Sequence, residues 1–156
     1  MAFKDALVPT DFGSGSHAAL TQALNSLGPE GGRVVMLHVL DQRLIDPIQA
    51  LFSETEKEEL IARLRHRAHE QYDHLMAGID RGKAECELFI VEGVPFLKIV
   101  QFARDLDVDV IVMVVRRGSE YIEQMLFGST AERVLRLAPC PVLIVPEITD
   151  AAASTS

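Results

Sequence analysis

Val110-Ile111-Val112-Met113-Val114-Val115 is a run of strand formers. The stretch Gly118-Ser119-Glu120-Tyr121-Ile122-Glu123-Gln124-Met125-Leu126-Phe127-Gly128-Ser129 carries the chain from it to an apparent helix. A strand, a loop with glycine at both ends and then a helix start is a recurring way to hold phosphate. Glycine lets backbone N–H groups come close to an anion, and the helix start adds unpaired donors and a positive dipole end. The helix from Ser129 ends before Pro139, and Val142–Val145 reads as a further strand.

Working toward the N-terminus, Ala6–Val8, Val34–Leu40 and Cys86–Val91 complete a set of five strands. Several are apolar throughout rather than alternating, as expected when helices cover both faces of a sheet. Ser16 can cap a helix that runs to about Leu27, where Gly28-Pro29 stops it. Ser53 and Glu56 form an S-x-x-E capping box for a long helix from Glu54 to about Ile79. Its apolar stripe is Leu60, Leu64, Ala68, Tyr72 (or Gln71), Leu75 and Ile79. Pro95 suits the first turn of a helix continuing to about Leu106. Leu40 to Phe52 lacks clear periodicity and contains Pro47, so it reads as a loop. The order is βαβαβαβαβ, with connections long enough for parallel crossovers, and ligands in such sheets sit beyond the strand C-termini.

Length and composition agree. The 156 residues suit a single domain, read here as residues 1–148, with 149–156 a frayed tail rich in Ala, Ser and Thr. Hydrophobic residues make up 48% of the chain, which argues against general disorder. Lys and Arg number 15 against 23 Asp and Glu, a net charge of −8 that disfavours nucleic acid and anionic membrane as partners. No apolar run is long enough to span a bilayer, and Lys4 and Asp5 precede any apolar region, so no signal peptide is expected. Two cysteines, Cys86 and Cys140, sit beside strand-like segments and read as buried thiols. A cytoplasmic protein is expected.

Five further pieces sit in a recognisable order. They are Leu7-Val8-Pro9-Thr10-Asp11-Phe12; Leu37-His38-Val39; Glu92-Gly93-Val94-Pro95 with Ile99 and Ala103; Asp109-Val110-Ile111-Val112-Met113; and Phe127 through Leu135 followed by Ala138-Pro139-Cys140-Pro141-Val142. Together they resemble the universal stress protein family over nearly the whole chain. The resemblance implies a Rossmann-like or flavodoxin-like α/β fold: a five-stranded parallel doubly wound sheet, order 3-2-1-4-5, with helices on both faces. It also implies a homodimer paired through the C-terminal strand, an unknown protein partner and, in one branch, an ATP site, with or without Mg²⁺. That branch's pattern is Gly, two residues, Gly, nine residues, then Gly-Ser or Gly-Thr. Gly118, nine residues, Gly128 and Ser129 satisfy its second half. The first glycine falls on Val115 by this count, or on Val114 when the register is taken from the upstream strand, which puts the second at Arg117. Either way it is a valine, whose Cβ could block the backbone's approach to ribose or phosphate.

The candidate ligand contacts that follow are Pro9, Thr10, Asp11, Val39, Arg117, Gly118, Gly128, Ser129 and Thr130. Each has a plainer alternative. Asp11 could be a turn residue bonding its own backbone near Gly13. Ser129-Thr130-Ala131-Glu132 is itself an S-x-x-E capping box. Arg116 and Arg117 could pair with Glu120 or Glu123 instead of phosphate. Val39 would offer backbone N–H and C=O to adenine on the resemblance alone. His38 reads as a satisfied structural histidine, and His66, Glu70 and His74 as a solvated helix face rather than a metal site. No nucleophile with an adjacent base and no P-loop is present, so no catalytic residue is assigned; hydrolysis, if any, would be slow. Two functions follow. One is a stress-response protein with an adenine nucleotide as regulatory ligand; the other is a nucleotide-free dimeric interaction module. A phosphoryl- or nucleotidyl-transferase lacks its phosphate-binding lysine, and a receiver domain's acidic cluster cannot be assembled around Asp11.

Overall fold

The structure, a computed structural model, describes residues 2–116 and 128–147 and, for Arg116, the backbone only. In chain order the elements are β1 (Asp5–Pro9), α1 (Ser16–Ser26), β2 (Arg33–Asp41), α2 (Gln42–Gln49), α3 (Glu54–Ala77), β3 (Glu85–Gly93), α4 (Pro95–Asp105), β4 (Val110–Arg116), α5 (Ser129–Leu137) and β5 (Val142–Glu147). The strands form one sheet in the order β3-β2-β1-β4-β5, every pairing parallel.

Successive residues of a strand face opposite sides, so each apolar run feeds two cores. Ala6, Val8, Val34, Met36, Val110 and Val112 meet Ala19, Leu20 and Ala23 of α1, with Tyr72, Leu75 and Met76 of α3 packed behind. Leu7, Val35, Leu37, Ile111 and Met113 meet Ile99 and Ala103 of α4 and Ala131 and Val134 of α5 on the other face. Leu7, Leu20, Met36, Leu37 and Ile111 are fully buried, each burial contributing roughly 1.5–3 kcal/mol. Cys86 packs on the α1 face and Cys140 on the α4 face. The sheet separates them, and burial raises the pKa of each thiol above its ordinary value.

β1 and β4 are spatial neighbours although two other strands intervene in sequence. The winding direction reverses between them, and the loops leaving their C-terminal ends diverge. At the opposite end Asp109 ties the two strands together. Its Oδ2 accepts the backbone N–H of Lys4 at 2.8 Å and of Asp5 at 2.9 Å, while its own N–H donates to the Asp5 carbonyl.

Two expectations need correction. The segment expected as a loop contains α2, capped by Asp41, whose Oδ1 accepts Arg43 N–H at 3.0 Å. Ser16 does not cap α1: the N-cap is Gly15, and the Ser16 hydroxyl instead meets Thr10 Oγ1 at 2.9 Å. Ser53 does cap α3, accepting Glu56 N–H at 3.2 Å. Residues 149–156, read as a frayed tail, lie outside the described residues. No described helix is long and apolar enough to cross a membrane.

Candidate functional site

The crevice at the C-terminal ends of β1, β2 and β4 opens into a cleft of about 570 Å³, within the roughly 300–1,000 Å³ usual for small-ligand sites. One wall is the turn after β1. Thr10 N–H donates to the Leu37 carbonyl at 2.9 Å, the last ladder bond between β1 and β2. Thr10 Oγ1 accepts Phe12 N–H at 2.9 Å, and Asp11 Oδ1 accepts Gly13 N–H at 2.7 Å. These bonds hold Phe12 in the left-handed region at φ 58. Asp11 thus makes the turn contact expected of an Asx residue, while still lining the cleft.

His38 changes what β2 presents. Its Nδ1 lies 2.9 Å from the Thr10 carbonyl, and a carbonyl only accepts, so Nδ1 carries the proton. Arg33 N–H donates to the Lys4 carbonyl, and the Leu37 carbonyl accepts Thr10 N–H. Odd-numbered residues of β2 therefore turn their main chain toward β1. Val39 is the next of this set, but β1 has ended and the imidazole occupies Thr10's carbonyl. The Val39 N–H and C=O consequently open into the cleft, with no hydrogen-bond partner among the described residues.

The start of α5 forms the facing wall. Its N-cap is Gly128, with no side-chain hydrogen bond to the helix start. The capping box expected at Ser129 does not form: Ser129 is already helical, and Glu132 bonds Arg136 Nη2 at 2.8 Å. Among the described residues no acceptor meets the N–H groups of Ser129, Thr130 or Ala131. They are three orphan donors at a positive dipole end.

Val114 and Val115 fall on opposite faces of β4. Val115 packs with the α4/α5 core, and Val114 stands under the start of α1. A Cβ on Gly15 would lie 2.5 Å from Val114 Cγ1, so helix and valine touch only because residue 15 is glycine. Beside them the Ser14 hydroxyl donates to Glu147 Oε1, linking the α1 turn to the end of β5.

Six sequence-derived candidates therefore line the cleft: Pro9, Thr10, Asp11, Val39, Gly128 and Thr130. Ser129 is exposed beside it, while Arg117 and Gly118 lie outside the described residues. Sequence reasoning missed Glu147, Ile99 and the Gly13–Ser16 turn; the glycines of that turn were the available signal. No three His, Cys, Asp or Glu side chains converge as metal ligands among the described residues. His66 Nε2 pairs with Glu70 Oε1 at 2.9 Å on an exposed helix face.

Comparison with known proteins settles the lineage. The model of the universal stress protein family matches residues 2–146. The chain belongs to the universal stress protein family. Universal stress protein MJ0531 of Methanocaldococcus jannaschii is 31% identical over 143 residues, covering 92% of this chain and 82% of its own length. The solved structure of the hypothetical protein MJ0577 superposes with a TM-score of 0.78 at 28% identity, covering 96% of this chain and 99% of that one. A universal stress protein structure from Archaeoglobus fulgidus matches at a TM-score of 0.61 and 22% identity, covering 92% and 98%. The family's five-stranded order is the order found here.

Proposed function

We propose that this universal stress protein binds an adenine nucleotide in the cleft as a regulatory ligand. The protein acts as a homodimer paired through β5 and presents the ligand state to a protein partner. The observation that carries this reading is the pair of unpartnered main-chain groups on Val39, facing the orphan donors of α5 across one cleft. One N–H and one C=O on a single residue can meet the acceptor and donor of an adenine edge, as base-edge recognition requires. The α5 start supplies donors for phosphate. The Archaeoglobus fulgidus structure was solved in complex with dAMP, so this scaffold can hold an adenine nucleotide. ATP, with or without Mg²⁺, is the ligand the family resemblance implies. Asp11 and Glu147 are the carboxylates at hand for a Mg²⁺ carried on phosphates. A regulatory rather than catalytic role fits the site chemistry: His38 Nδ1 is held by Thr10's carbonyl and Asp11 Oδ1 by Gly13.

Val114 and Val115 favour a second reading, a nucleotide-free dimeric module, because both residues line the cleft where the nucleotide pattern has glycine. Titration calorimetry with adenine nucleotides separates the two. Saturable binding at millimolar ligand or below supports the first reading. Absence of heat and of thermal shift at that concentration rejects it in favour of the second.

A further inference from the structure

We infer that Thr10 and His38 form a stop on the β1–β2 ladder. The stop keeps the Val39 main chain open for adenine, and without it the ladder zips one rung further and closes that edge of the cleft. Its role in recognition rests on the adenine reading above.

Register shows which bonds Val39 forgoes. β1 and β2 pair from Asp5↔Arg33 to Pro9↔Leu37. In a parallel pair, a residue donates to the carbonyl one place before its partner and accepts the N–H one place after. Arg33 does the first with Lys4, and Leu37 does the second with Thr10. One rung further, Val39 N–H belongs to the Thr10 carbonyl and Phe12 N–H to the Val39 carbonyl. Neither bond forms. β2 itself continues, paired with β3 as far as Asp41↔Gly93, so it is β1 that leaves.

Side chains take both missing partners. His38 Nδ1–H donates to the Thr10 carbonyl at 2.9 Å, and Thr10 Oγ1 accepts Phe12 N–H at 2.9 Å. Each device is braced in turn. The His38 ring lies against Phe12 with centroids 5.3 Å apart, and the Thr10 hydroxyl meets that of buried Ser16 at 2.9 Å. Phe12 is held at φ 58, a region that a non-glycine residue keeps only when its surroundings fix it. Two unrelated side chains thus divert the two groups that would complete a single rung. The residue they leave open lines the cleft, and its N–H and C=O suit a ligand edge with one acceptor and one donor. Thr10 and His38 are therefore positioning residues that act through Val39.

Residue-by-residue amide exchange on the full chain, with calorimetric titration of adenosine, tests this. In the wild type, Val39 N–H is expected to exchange at least about tenfold faster than Leu37 N–H inside the ladder. His38→Leu frees the Thr10 carbonyl and is expected to slow Val39 exchange about tenfold and weaken adenosine binding about tenfold. His38→Asn, whose amide N–H can stand where Nδ1–H stood, is expected to keep both near wild type. Thr10→Val, close to isosteric, is expected to shift both in the direction of His38→Leu and serves if that variant fails to fold; Thr10→Ser should not. Lost packing alone would speed exchange, so the direction separates a ladder stop from a merely structural role. Val39 exchange unchanged or faster in the folded variants overturns the inference, as does a wild-type Val39 N–H as protected as Leu37. Slower exchange with undiminished adenosine binding overturns the role in recognition. Slower exchange in the variants, with no adenosine binding by the wild type, sinks the adenine reading and leaves the stop standing.

Discussion

Asp109 is the residue whose charge matters most to the join between β1 and β4. Its carboxylate receives two backbone N–H groups, from Asp5 and Lys4, and those hydrogen bonds, Asp5's first, hold its pKa below the ordinary value. Hydrogen bonds to the ionised form favour that form. The sign follows from linkage. A carboxyl whose pKa is depressed by folding contributes its stability above the unfolded value of about 4, and loses it as pH falls through the folded value. The wild type is therefore expected to lose more stability between about pH 6 and pH 3 than Asp109→Asn. The variant keeps an oxygen acceptor but has no charge to titrate. Urea midpoints at the two pH values measure it; equal losses in both proteins would show that Asp109 does not carry the acid sensitivity. Gly15 and Val114 make a different single-residue point: one glycine makes room for one valine, and that contact, not the glycine pattern alone, shapes the α1 wall.

Among the elements, α2 stands apart. None of its residues is buried, and Leu44, Ile48 and Leu51 beyond its end are 69%, 51% and 86% exposed. Pro47 removes the N–H that would reach the Arg43 carbonyl. What holds the helix start is Asp41, which accepts Arg43 N–H and pairs with the guanidinium at 2.7 Å. Asp41→Ala is expected to weaken α2 locally by about 1 kcal/mol. Amide exchange over residues 43–50 should then rise roughly fivefold with little change in the global urea midpoint. A matching global loss would mean that α2 folds with the core. This helix is also where the sequence was hardest to read. Its spacing of Leu44 and Ile48 suits a helix, but Pro47 and the lack of a buried stripe argue for a loop. The strands of β2 and β4 were legible because Val34–Leu37 and Val110–Met113 are buried on both faces. In the cleft, Thr10, Asp11 and Gly128 could be found from strand ends and glycine spacing. Glu147 could not, because only sheet register brings it to Ser14, 133 residues away in sequence. The S-x-x-E alternative at Ser129 fails because the N-cap is Gly128, one residue earlier, and Ser129 is already the first residue of α5.

At the scale of the whole molecule the two sheet edges differ, and the difference bears on the proposed pairing with a second copy. The β3 edge is guarded: Arg65 of α3 donates to the Ile90 carbonyl at 2.7 Å and lies 3.7 Å from Glu92. A filled carbonyl and a charged side chain discourage strand addition. On β5, Ile111 N–H donates to the Pro141 carbonyl, so odd-numbered residues of the strand turn toward β4. Val142 and Ile144 then present their main chain outward, with no partner among the described residues. Pro146 falls on that outward side, where its missing N–H costs no bond to β4 and limits the pairing to a short stretch. The proposed antiparallel pairing of β5 with its copy would place the two-fold axis near Leu143, which is 39% exposed. Leu143→Glu would set two carboxylates against each other at that axis while disturbing little of the core. Light scattering on the eluting protein is expected to give twice the 17.2 kDa chain mass for the wild type and one chain mass for the variant, with unchanged far-UV circular dichroism. A variant that stays dimeric would move the interface away from β5, and a monomeric wild type would remove it altogether.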